Sequence, residues 1–132
     1  MLSLLRLNLR ALVATVGLFF ALSFSAFAET VSSGTFVGAT GHTTSGGVSV
    51  EVNGDTREVV LAADFYLDGA PDPKVGFGTN GEYASHAQLA HLDKNTGEQR
   101  YTIPADLDIS GFNEIYIWCE KFSVPLGVAK IK

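Results

Sequence analysis

The chain has 132 residues, with 9 Lys and Arg against 14 Asp and Glu, for a net charge of −5. An acidic chain of this length makes one domain and offers no basic patch, which disfavours nucleic acid and anionic lipid as partners. A single cysteine, Cys119, excludes an internal disulfide, a Cys-x-x-Cys couple, cysteine-rich zinc sites and iron–sulfur clusters held by four thiolates.

The first residues read as a targeting segment rather than as part of the fold. Arg6 and Arg10 bring positive charge, and Ala11 to Ala28 is an apolar run without a charged residue. It ends in Ala26-Phe27-Ala28, a small-x-small site for signal peptidase. Residues 1–28 are therefore expected to be a cleaved signal peptide, and residues 29–132 the domain. The product is expected to be exported, periplasmic or extracellular, with no membrane attachment after cleavage. Losing Arg6 and Arg10 leaves 7 basic residues against 14 acidic ones, a net charge of −7.

Past the leader the chain reads as short strands cut by turns. Residues 29–34 are a polar lead-in, and Thr35–Thr40 is a short segment around Phe36. Val48, Val50 and Val52 alternate with Ser49 and Glu51, the period of a half-buried strand. Asn53-Gly54-Asp55 predicts a tight hairpin, returning along Thr56–Leu67 with Val59, Leu61, Ala63 and Phe65 on one face. Asp68–Pro73 is a loop made rigid by two prolines. Lys74–Gly78 is a brief strand. Residues 82–93 fit either a short helical turn or a strand.

Gln99–Ile103 follows as a strand with Tyr101 and Ile103 on one side, and Pro104 ends it. Asn113–Glu120 is the strongest strand, apolar on both faces, which places it centrally in its sheet. Phe122–Lys132 closes the chain. Its alternation slips a frame at Gly127, as a β-bulge would produce. The expected fold is all-β: a single small β-sandwich, or flattened barrel, of about seven to eight mostly antiparallel strands.

Chemistry is thinner. There is no phosphate-binding loop and no Gly-x-Ser-x-Gly. A cupredoxin-like copper site is excluded, since neither His nor Met follows Cys119. The acidic pairs Asp68/Asp72 and Asp106/Asp108 are residue types that bond their own backbone in turns. His42, His86 and His91 read as surface or structural residues, yet with Cys119 they are the only candidate soft ligands. Cys119 itself reads either as a small core hydrophobe beside Ile115 and Ile117 or as a functional thiol. No nucleophile–base pair marks the chain as an ordinary enzyme.

Ordered pieces of the sequence resemble the DM13 domain family. They are Gly34-Thr35-Phe36 with His42 and Gly46, Asp64-Phe65 with Ala70-Pro71-Asp72-Pro73, Gly97 through Pro104, Ile117-Trp118-Cys119 with Phe122, and Ala129. The resemblance implies a β-sandwich that takes part in electron transfer. It maps the family's signature cysteine onto Cys119, acting as a bare thiol or holding a prosthetic group such as haem. Cys119 is thus the expected redox centre, with Trp118 and Tyr101 nearby and His42 as second ligand if a cofactor binds. A separate redox or cell-surface protein would be the partner. The rival reading is a non-catalytic binding module in which Cys119 is core.

Overall fold

The computed structural model describes residues 17–23 and 27–132. The charged start of the leader and Ala26 of its cleavage site lie outside the described residues. Ten strands follow in chain order: β1 (Glu29–Gly38), β2 (Thr44–Ser45), β3 (Gly47–Asn53), β4 (Thr56–Leu61), β5 (Tyr66–Leu67), β6 (Pro73–Thr79), β7 (Glu82–His91), β8 (Gln99–Ile103), β9 (Glu114–Cys119) and β10 (Val124–Lys130). Among the described residues there is no helix.

Eight of the strands form one rolled sheet in the order β7-β6-β9-β10-β1-β3-β4-β8, and β2 pairs with β5 in a small second sheet. The ends of the roll nearly meet: the Asp93 N–H donates to the Tyr101 hydroxyl (2.9 Å) and the Lys94 N–H to Gln99 Oε1 (3.0 Å), joining the segment after β7 to β8. The result is the expected all-β, flattened-barrel architecture. β1 belongs to both halves. Its residues from Glu29 to Thr35 pair with β3, and Phe36 to Gly38 pair with β10.

The alternating patterns are realised where they were strongest. Val48 and Val50 of β3 face Leu61 and Val59 of β4 across the hairpin, all four buried. Gly54 turns with φ of 60°, a conformation that costs glycine little. β9 lies between β6 and β10, with Ile115, Ile117 and Cys119 pointing inward. In β10 the register slips between Pro125 and Gly127, so Leu126 is the extra residue of the bulge and is fully buried.

Two expectations change, and one left open is resolved. Residues 29–34 are not a lead-in but the first part of β1. Their backbone pairs with β3 on one side, while on the other Ser33 and Lys132 exchange N–H···O=C bonds (3.0 and 3.1 Å). Exposed polar side chains hid a strand whose hydrogen bonds are all main-chain. The strand returning from Thr56 ends at Leu61 rather than Leu67. There Asp64 Oδ1 accepts the Gly47 N–H (2.9 Å) and the Phe65 N–H closes a turn on the Ala62 carbonyl (3.0 Å). Ala63 is therefore exposed, while Phe65 swings in edge-on against Phe36, ring centres 5.6 Å apart. Residues 82–91, left between helix and strand by their alanines, are strand β7.

β6 has a further peculiarity. Val75 and Phe77 face the core, so Gly76 and Gly78 face outward. A Cβ at Gly76 would stand 2.9 Å from the Tyr83 ring, and one at Gly78 would collide with the Tyr116 ring and the Glu82 carbonyl. The two glycines let aromatic rings lie directly on the outside of the sheet. Gly78→Val is expected to cost about 1–3 kcal/mol of stability, the usual toll of overpacking. Gly111→Ala, with nothing within 4 Å of the added carbon, should stay within about 0.5 kcal/mol. Urea denaturation of both variants checks the difference.

Candidate functional site

Cys119 sits at the end of β9, paired with Pro73 of β6 and Val124 of β10. It is a free thiol with 1% of its surface exposed. Its Sγ–H donates to the Pro71 carbonyl at 3.2 Å. That carbonyl belongs to the Asp68–Pro73 loop, so the loop caps the thiol.

The loop is pinned on both sides of Pro71. At its start, His42 Nδ1–H donates to Asp68 Oδ1 (2.8 Å), and the Thr43 N–H donates to Asp68 Oδ2 (3.1 Å). The Asp68 N–H returns to the Thr43 carbonyl (3.0 Å). At its far end, Asp72 Oδ1 meets Lys74 Nζ (3.0 Å) and His91 Nε2 (3.4 Å), and the Glu120 N–H donates to the Asp72 carbonyl (3.2 Å). Between these anchors Gly69 and Asp72 hold positive φ, 105° and 51°. Asp is one of the few side chains that adopt this conformation readily.

The site residues expected from sequence fall into three places. The His42 ring is engaged by Asp68, at the start of the loop whose Pro71 carbonyl caps Cys119. Tyr101 belongs to the same buried core as Cys119, but its hydroxyl donates to Gln99 Oε1 (2.6 Å) and accepts from Asp93. Burial raises its pKa. Trp118, although next in chain to Cys119, projects to the opposite face of β9. There it stacks on Tyr83, ring centres 4.4 Å apart and 10° from parallel, and stands edge-on to Tyr116.

This outer aromatic cluster was not foreseen. Tyr83 reaches it across Gly76, because β7 is irregular opposite β6 between Tyr83 and Gln88. Tyr116 is 98% hidden although it faces outward, and its hydroxyl donates to Glu114 Oε2 (2.9 Å). Burial raises the pKa of both phenols, with Glu120 adding to the effect at Tyr83 and Glu114 at Tyr116. The glycine spacing of Lys74–Gly78 was the available signal. A strand with glycine at alternate positions clears one of its faces for something else.

A haem held by Cys119 does not fit this arrangement. The thiol lies inside packed core with the Pro71 carbonyl on its sulfur, and His42 is turned to Asp68. Among the described residues no group of three or more His, Cys, Asp and Glu is placed to hold a metal ion. His91 donates through Nδ1 to the Leu92 carbonyl (2.8 Å), and His86 is exposed beside Phe112. Asp108 accepts from the Ser110 N–H and hydroxyl, a turn role.

The site is thus a small rolled β-sheet that encloses one free thiol beneath a proline loop. The model of the family described as "Electron transfer DM13" matches residues 35–131, most of the chain, and the protein belongs to that family. A search of the curated proteins gives no match, and neither does a search of the solved structures.

Asp68 supplies a direct check on the loop anchor. The Thr43 N–H, and after it His42, holds its carboxyl below the usual carboxylate range. A depressed folded-state pKa means stabilisation that is present above the ordinary value of about 3.9 and lost as pH falls through the depressed one. Carboxyl NMR should therefore give Asp68 a midpoint below that of a free aspartate. In His42→Ala the midpoint should rise only part of the way, because Thr43 contributes more. Full return to the free value would reverse that ranking.

Proposed function

We propose that this chain is an exported electron-transfer domain whose redox group is the Cys119 thiol, governed by the Asp68–Pro73 loop. One observation supports it most. The atom capping the thiol is a carbonyl of an irregular loop, not a bond of the strand ladder. Thiol chemistry requires the thiolate and access to it. Lifting Pro71 would supply both, removing the acceptor and admitting water to take the proton. The side-chain anchors at Asp68 and Asp72 make such an opening local to the loop, since the strands on either side keep their ladders.

Export rests on the leader. Its described apolar residues Leu18, Phe19, Phe20, Leu22 and Phe27 all stay largely exposed and add nothing to the core. The described residues contain no helix long and apolar enough to cross a membrane. Electrons would pass to or from a separate redox or cell-surface protein, and the acidic surface gives nucleic acid no footing.

A second reading has its own support. An exposure of 1% is ordinary for a packing cysteine. On that reading the chain is a binding module and Cys119 only fills the core.

Thiol labelling of the purified protein, with an absorption spectrum of the same sample, separates the two. On the redox reading the native protein labels at Cys119, and Asp68→Asn speeds labelling roughly tenfold while global stability shifts by less than about 1 kcal/mol. Electron exchange with a carrier protein is lost in Cys119→Ser. Labelling that only follows global unfolding, with electron exchange untouched in Cys119→Ser, replaces this reading with the binding module. A Soret band abolished by Cys119→Ser would replace the bare thiol with a held haem.

A further inference from the structure

The outer side of the leaf formed by β1, β10, β9, β6 and β7 carries an apolar row. Val37, Val128, Tyr116 and Gly76 are successive Cα partners across four strands, with the Tyr83 ring lying over Gly76. Trp118 and its partner Pro125 form the next row. Val37 is 70% exposed, and between it and Val128 runs a groove of about 400 Å³. Trp118 and Tyr83 are only partly covered and Val37 is open to solvent, so this face keeps apolar surface available although Tyr116 beneath the rings is buried.

The charge around the rings says what kind of surface this is. The charges that act on the two phenols are carboxylates: Glu120 at Tyr83, Glu114 and Glu82 at Tyr116. One of the neighbouring lysines is held in an ion pair. Lys74 is bonded to Asp72 (3.0 Å) and Lys121 lies over Phe122, while Lys130 stands apart at the groove beside Val37 and Val128. His91 also turns to Asp72. An aromatic centre with a carboxylate rim, on a chain of net charge −5, is complementary to a cationic face. Small apolar patches with charged rims are how transient electron-transfer partners meet, and opposite charge raises their rate of encounter. The backbone of Trp118 is bonded directly to that of Cys119, so this face is also the outer wall of the thiol site.

We infer that the outer face around Trp118 and Tyr83 is the docking surface for a basic electron-carrier protein; the inference rests on the electron-transfer reading above. The single tryptophan makes the face self-reporting. The test titrates the full chain with a lysine-rich haem protein and, separately, with an acidic iron–sulfur protein. It reads Trp118 fluorescence and backbone amide shifts. The basic carrier should quench Trp118 and shift residues of β6, β7, β9 and β10, and its affinity should fall roughly tenfold between about 10 mM and about 500 mM salt. The Glu82→Gln/Glu120→Gln double variant, altered only in rim charge, should bind several-fold more weakly. Equal binding of the acidic carrier, indifference to salt and to the double variant, or shifts confined to another face would each overturn the inference. So would saturation of the same resonances by a small organic amine without any effect of the carrier. Binding here with electron exchange unchanged in Cys119→Ser would sink the thiol reading and leave the docking face standing. Thiol-dependent exchange with shifts elsewhere would do the reverse.

Discussion

One strand is shared by both halves of the barrel, and the other features follow from that sharing. β1 gives its first part to β3 and its last residues to β10, so the two halves of the sheet are joined through continuous main-chain ladders rather than by side-chain packing alone. No disulfide is available to do this. The core is modest for so small a domain, and ladder continuity is what holds the halves in register. Thr44 reinforces the joint from β2, its hydroxyl donating to the Leu126 carbonyl (2.7 Å) at the bulge of β10.

With the halves fixed, the thiol and the aromatic face are two sides of one strand. β9 is apolar on both faces because both are covered: Ile115, Ile117 and Cys119 by the core, Tyr116 and Trp118 by each other and by Tyr83. The covering on the outer side is possible only because β6 presents glycine there. The covering of the thiol is of a different kind, a loop carbonyl held by side-chain anchors. Strand geometry therefore fixes where the sulfur is, and loop chemistry governs whether it can be reached.

Much of the fold was legible in the residues. The Val48–Val52 alternation, the Asn53-Gly54-Asp55 hairpin, the double-faced β9 and the frame slip at Gly127 each state their structure through period or turn chemistry. The first part of β1 did not, because its exposed residues carry no apolar alternation and its bonds are all backbone. The break after Leu61 was hidden because it depends on Asp64 capturing a distant N–H, which no local pattern announces. Of the site, Cys119 and the proline loop could be singled out, but their contact could not, since the two are far apart in sequence. The alternation along Asn113–Glu120 already sets Trp118 on the face opposite Cys119, but not the ring it stacks on. Tyr83 was missed because its reach depends on an irregularity in β7.

That irregularity has a bearing beyond the aromatic cluster. β7 is the outermost strand at one end of the sheet, and such a strand exposes a row of unpaired main-chain groups. Between Tyr83 and Gln88 the chain bows away from regular pairing with β6. The row that a neighbouring molecule could use as a template is interrupted at its middle. The interruption works against the sheet growing from one molecule into the next, a protection that a domain held together without covalent staples gets from its strand geometry.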